Sequence, residues 1–233
     1  MALVLPMGNE HLIPELAPYW KRLDFPQLLS RPSAFLSIAQ NNCVYTPGGK
    51  LYGERHDQRG SLAATVRAVR AARKSDSFRS FNWVGYSEYR DDYPKSALDE
   101  VQYAAWTEGD DADAEQIAWD NELVPELREL VEPGDNEFFE VAFQSAFIGT
   151  QLPLELTRKR IEVIVITGTH LDWCIEGNAR AARDFGYVPI IIGDATGAET
   201  VEQEKAAFER INRYFAPVIT SRQFVEFLGF DDE

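Results

Sequence analysis

Few side chains in this 233-residue sequence are equipped for covalent or metal chemistry, since it contains two cysteines and three histidines. Cys43 and Cys174 are far apart in the chain, which excludes a disulfide framework and a multi-cysteine zinc site, and three histidines are too few for a His-rich metal centre. Cys174 is set apart by its surroundings. The apolar run Ile164-Val165-Ile166-Thr167 reads as a buried strand, Gly168-Thr169-His170-Leu171-Asp172-Trp173 as a turn, and a helix is expected to begin near Cys174. Backbone N–H groups and the positive end of a helix dipole stabilise a thiolate there, and the same N–H groups can accept a developing oxyanion. On this context alone Cys174 is either an activated nucleophile or a small buried hydrophobe. Cys43, in a polar loop, reads as structural; His56, within Glu54-Arg55-His56-Asp57, reads as a surface residue; His11 lies in an N-terminal arm.

A nucleophile of this kind needs a sheet to present it. Strands are predicted at 34–39, 81–86, 138–143, 161–167 and 187–193, with a short one at 217–220. Helices are predicted at 61–74, 121–131, 152–159, 174–185, 199–214 and 221–228. Strands alternating with helices imply an α/β fold with a parallel sheet covered on both faces by right-handed crossovers, binding ligands at the carboxyl ends of its strands. Residues 1–30, broken by Pro6, Pro14, Pro18 and Pro26, read as an irregular arm on the body or on a partner subunit, and 31–233 as one domain. The segment 87–136 reads as a long functional loop with short helices.

The segment Gly168 to Ile175, followed by Ala179-Arg180, Gly186-Tyr187 and Asp194-Ala195, resembles the signature of the isochorismatase-like cysteine hydrolases, which include nicotinamidases, carbamoylsarcosine and ureidoacrylate amidohydrolases, and isochorismatases. Ser145-Ala146-Phe147-Ile148-Gly149-Thr150 resembles the family's Ser-Ala-Phe block, Ile38 to Asn42 its first-strand loop, and Phe215 to Ser221 its tail, so that the likeness covers 33–228. The resemblance implies a three-layer α/β/α sandwich around a six-stranded parallel sheet, in homodimers or homotetramers. It also implies an Asp-Lys-Cys triad in which the Asp takes the thiol proton, the Lys holds the Asp and the substrate, and Cys174 attacks a carbonyl. The backbone N–H groups of His170 and Cys174 would form the oxyanion hole, with a cis peptide between Thr169 and His170.

Two triad positions depart from that pattern. Laying Ile38 to Asn42 over the family's Ile-Asp-Met-Gln-Asn puts Ala39 where the Asp belongs, and counting back from Ser145 puts Val141 at the lysine. Glu140 would serve as a substitute acid or base if the register slips by one; Asn41 and Phe147 are further candidates for the pocket. The expected function is hydrolysis of a C–N or related bond in a small molecule through Cys174. The alternative is an altered or inactive relative that binds a small, aromatic or apolar molecule or a partner protein. No cofactor or metal is expected, because the nicotinamidase Asp-x-His does not occur, nor does Gly-x-Gly-x-x-Gly, and Pro47-Gly48-Gly49-Lys50 is a turn.

Charge narrows the partners. Lys+Arg 23 against Asp+Glu 38 gives −15, which disfavours nucleic acid and anionic membrane surfaces. Nearly all of it sits in 99–140, with 15 acidic side chains against the single Arg128, and this reads as a solvated face. The start, MALVLPMGNEHL, has no basic leader and no apolar stretch reaches membrane-spanning length, so a cytoplasmic protein is expected. Trp83, Tyr86, Tyr89, Tyr93, Tyr103 and Trp106 concentrate aromatics before the acidic segment, either packing the loop or lining a pocket.

Overall fold

The computed structural model describes residues 9–53, 60–86, 96–107, 113–141 and 144–231. Six strands, β1 (Ser33–Ile38), β2 (Phe78–Tyr86), β3 (Asn136–Val141), β4 (Val163–Thr169), β5 (Val188–Gly197) and β6 (Val218–Ile219), form one sheet in the order β3-β2-β1-β4-β5-β6. Every neighbouring pair is parallel. The helices are α1 (Phe25–Leu29), α2 (Asn42–Tyr45), α3 (Ser61–Arg73), α4 (Ala97–Thr107), α5 (Ala114–Asn121), α6 (Pro125–Arg128), α7 (Leu152–Arg158), α8 (Glu176–Asp184), α9 (Val201–Tyr214) and α10 (Ser221–Phe227).

β1 and β4 are buried along their whole length, as continuous apolar runs must be when helices cover both faces of a parallel sheet. Their side chains alternate between two cores. Phe35, Val165, Ile190 and Ile192 pack with Ala68 of α3, Leu127 of α6 and Phe224 of α10. Leu36, Ile164, Ile166 and Ile191 pack on the other face with Leu156 of α7, Ala179 of α8, and Phe208 and Ile211 of α9. Burying each such large aliphatic or aromatic side chain contributes about 1.5–3 kcal/mol, so the two cores dominate the stability of the three-layer sandwich.

Several predicted boundaries move. β4 runs two residues later than expected, β2 begins at Phe78, and β5 continues to Gly197. Residues 142 and 143, the predicted end of the third strand, lie outside the described residues. The single helix expected over 121–131 is broken instead: α5 ends at Asn121, Leu123 bridges to Asn41, and α6 starts at Pro125. The physical reason is Pro125, which suits a first helical turn but forces Val124 before it into an extended conformation.

The described part of the N-terminal arm lies on its own chain. Asn9 Nδ2 donates to the carbonyls of Thr196 (3.0 Å) and Gly193 (3.3 Å), Asn212 Nδ2 of α9 donates to the Glu15 carbonyl (2.7 Å), and the Trp20 indole donates to the Asn212 carbonyl. Among the described residues no helix is long and apolar enough to cross a membrane.

Candidate active site

The carboxyl ends of β1 and β4 come unusually close. Gly168, paired with Ile38, has φ +114°, and a Cβ there would stand 1.8 Å from the Ile38 carbonyl oxygen, so only glycine fits. The peptide that follows, Thr169–His170, is cis, as the resemblance implies. The chain does not enter an α-helix at once. Leu171–Ile175 forms a π turn, with the N–H groups of Trp173 and Ile175 both donating to the His170 carbonyl at 3.1 Å, and α8 begins only at Glu176. Cys174 therefore sits inside the turn rather than at the head of the helix, a wider arrangement that local periodicity does not reveal.

Cys174 is 5% exposed and belongs to one apolar cluster with Val141, Ala146, Phe147, Leu171 and Ile175, against which Ala39 packs. Cys174 and Val141 thus belong to the same core face, and Ala39 packs against it. Val141 gets there through an irregularity. Val84 pairs with Phe138 but Tyr86 pairs with Val141, so β3 carries one extra residue between these pairs, and Val141 returns to the face that Phe138 occupies. Glu140 precedes it in the strand, and its side chain lies outside the described residues. Phe147 is held by stacking on Phe185 (5.4 Å between ring centroids) and a tilted contact with Tyr187 (6.0 Å).

Ala39 has φ +50°, a left-handed conformation that costs alanine about 1–2 kcal/mol and that Asp and Asn visit more readily. Its N–H donates to the Val84 carbonyl (2.7 Å), and its carbonyl accepts from Thr169 Oγ1 (3.1 Å). The backbone at position 39 would suit an Asp.

The residues after Ala39 leave the cluster. Gln40 is fully buried beneath the sheet, its Oε1 accepting from Ser37 Oγ (2.8 Å) and Thr167 Oγ1 (3.3 Å) and its Nε2 donating to Thr65 Oγ1 (3.0 Å). Asn41 Nδ2 donates to the Asn121 carbonyl (2.6 Å), and its amide lies over Gly85 beside Phe139, whose ring packs on the opposite core. Asn42 Nδ2 donates to the Trp119 carbonyl (3.1 Å). Residues 119–124 are thereby stapled to the loop after β1.

Asn178 is the feature that sequence reading missed. Fully buried in α8, it accepts from the Ala146 N–H through Oδ1 (2.9 Å) and donates through Nδ2 to the carbonyls of Cys174 (2.8 Å) and Gln144 (3.1 Å). One amide fastens the Ser-Ala-Phe block to the cysteine turn. A polar residue four positions after Cys174, on the helix face that carries Ala179 and Ala182 inward, was the available signal.

Glu176, the charged group that opens α8, is paired with two arginines. Burial disfavours the Glu176 carboxylate, but hydrogen bonds from Arg210 and Arg180 outweigh it and hold its pKa below the usual range. Asp194, at the far side of the sheet, accepts from the N–H (2.7 Å) and Oγ (2.6 Å) of Ser221, yet burial pushes its carboxyl up. His170 lies beside Trp173, with ring centroids 6.5 Å apart. Cys43 packs against the other core, and His11 lies in the arm. His56, Tyr89 and Tyr93, and the side chains of Tyr86, Tyr103 and Trp106, fall outside the described residues, whereas Trp83 is a buried core residue donating to Asp135 Oδ2 (2.9 Å). Among the described residues no group of three His, Cys, Asp or Glu could hold a metal ion.

Known proteins resemble this arrangement. The sequence pattern of the Isochorismatase domain matches residues 33–223. An uncharacterized isochorismatase family protein of Bacillus subtilis, YwoC, is 33% identical over 105 residues, which are 45% of this chain and 54% of that protein. The ureidoacrylate amidohydrolase RutB of Caulobacter segnis is 33% identical over 109 residues, 46% of this chain and 44% of that protein. The chain thus spans about half the length of the curated relatives it matches. Among solved structures, an isochorismatase family protein from Desulfovibrio vulgaris superposes with a TM-score of 0.68 at 18% identity, covering 85% of this chain and 99% of that one. N-carbamoylsarcosine amidase from Thermoplasma acidophilum gives 0.62 at 23% identity, covering 81% and 96%. These identities speak to a shared fold.

Proposed function

The chain belongs to the isochorismatase family, and from that premise we propose that it is a hydrolase that cleaves a C–N bond, in an amide or urea-like group of a small molecule, through Cys174. The carrying observation is the cysteine turn: Cys174 sits between β4 and α8, clamped by Asn178 to the 144–147 block. Names among the similar proteins, a ureidoacrylate amidohydrolase and an N-carbamoylsarcosine amidase, support the bond class.

In this reading the Cys174 thiolate attacks the carbonyl carbon, and the N–H groups of His170 and Cys174 receive the oxyanion. The C–N bond breaks, the nitrogen leaves with a proton, and water then attacks the thioester to release the acid and return the thiol. With Ala39 in place of the carboxylate, the proton that the thiol loses must reach the leaving nitrogen by another carrier. Glu140, adjacent to Val141 in β3, is the carboxylate that the sequence offers for that task if the register slips by one.

One observation favours a second reading, binding without turnover. Ala39 and Val141 lie with Cys174 in one apolar region of the core face, which suits an apolar or aromatic ligand better than a charged one. Incubating the protein with panels of amides, ureas and enol ethers, with mass-spectrometric detection of products and of a thioester on Cys174, separates the two. Turnover that vanishes in Cys174→Ala supports the hydrolase; saturable binding that survives the same substitution, without turnover, supports the binding protein.

A further inference from the structure

The helix that follows the cysteine turn begins with a buried acid. Glu176 is 6% exposed and lies two residues after Cys174. An uncompensated carboxylate two residues along the chain would oppose a thiolate at Cys174, because like charges in a partly buried setting interact over more than contact distance. Two arginines answer it. Arg180, one turn along α8, donates from Nη2 (2.6 Å) and Nε (3.2 Å) to Glu176 Oε1. Arg210 reaches across from α9, donating from Nη2 (2.8 Å) and Nε (3.3 Å) to Glu176 Oε2. Asp172, inside the turn, also acts electrostatically on Arg210.

We propose that Arg210 is a positioning residue for the nucleophile: by neutralising Glu176 from a separate helix, it docks the cysteine turn on α9 and keeps the start of α8 from opposing the Cys174 thiolate. The inference rests on reading Cys174 as the nucleophile.

Several other charged groups near the turn have partners of their own, while Asp172 lies inside it, and Asp184 of α8 and Glu202, Lys205, Glu209 and Arg213 of α9 are the further charged groups of the helices packed against it. β4 carries no ionisable side chain, and β5 offers only Asp194, which is bound to Ser221. On α9 the buried Glu204 accepts from the Ala198 N–H, and on α8 Arg183 donates to the Tyr214 and Phe215 carbonyls. On β3 Glu137 pairs with Arg128, and the side chain of Glu140 lies outside the described residues. His170, beside Trp173, is a further titratable neighbour, as is Asp172 within the turn. Arg180 packs its guanidinium 3.8 Å from the centre of the Phe215 ring, so it is anchored whether or not Arg210 is present.

The test is a pH titration of the Cys174 thiolate by its ultraviolet absorbance, taken as the difference from Cys174→Ala, which requires neither a substrate nor reagent access. Arg210→Gln is expected to raise the apparent thiol pKa by about half a unit or more, and Glu176→Gln to lower it by a similar amount. Arg210→Lys is expected to restore the wild-type value, and the Arg210→Gln/Glu176→Gln pair to return most of the way. A purely structural role would move both single variants in the same direction, and that result, or no movement in either, overturns the proposal. If Arg210→Gln fails to fold, the downward shift in Glu176→Gln and the rescue by Arg210→Lys still decide it. A wild-type thiol titrating at or above the free value of about 8.5, with the opposite shifts intact, upholds Arg210 and removes the nucleophile reading instead.

Discussion

Asn178 accepts a hydrogen bond from the Ala146 N–H at 2.9 Å while donating one to the Cys174 carbonyl at 2.8 Å, so a single buried amide joins two separate segments of the site. Asn178→Ala leaves the Ala146 donor and two carbonyls without this partner. It is expected to destabilise the protein by about 2–4 kcal/mol and to slow any Cys174-dependent turnover more than its effect on substrate binding. Urea unfolding followed by steady-state kinetics checks both parts. Asn178→Asp, which can accept but not donate when ionised, is expected to fare no better.

Gly168 is required by the approach of β1 to β4. Gly168→Ala would place a methyl group against the Ile38 carbonyl and impose a φ that alanine resists. Loss of more than about 3 kcal/mol, or failure to accumulate as folded protein, is expected in thermal or denaturant unfolding.

If residues 39 and 141 are the triad positions that the family likeness implies, side chains placed there should couple. Ala39→Asp suits the local backbone but puts a carboxylate in an apolar cluster, and Val141→Lys puts an ammonium there, each at about 2–4 kcal/mol. The double variant is expected to be more stable than the sum of the two by about 1 kcal/mol or more, since each charge supplies the other's partner. A double-mutant cycle by urea unfolding measures this coupling, and additive losses would show that the two side chains do not meet.

Acid stability carries a signature of Glu176. Its folded pKa lies below the ordinary value of 4.5, so the native state binds this proton less readily than the unfolded chain. The stabilisation is complete above about pH 4.5 and is lost as pH falls through the folded value. Glu176→Gln is expected to lower stability at neutral pH and to flatten the decline on acidification, as read from unfolding curves collected between neutral and acid pH.

Much of the architecture was legible because it rests on local rules. The largely apolar run at 34–38 and the apolar run at 163–166 read as doubly covered parallel strands, and the helical spacing of Leu62, Val66 and Val69 read as a helix. The helix over 121–131 was misread, since apolar periodicity ran through Pro125 and concealed the bridge from Leu123 to Asn41. The site was legible where its parts lie in one stretch, from Gly168 to Cys174, and not where they depend on distant partners.

By itself the amino-acid sequence determined the α/β alternation, the family likeness, and the cysteine after the fourth strand. All of these follow from residue type and short-range spacing. Tertiary structure alone decided that an extra residue in β3 turns Val141 into the cysteine's cluster, that Gln40 turns away from it, and that Asn178 and Arg210 fasten the turn. The physical reason is range. Strand register and buried hydrogen bonds are settled between segments far apart in the chain, where pleat period and packing choose the partner and no local pattern records the choice.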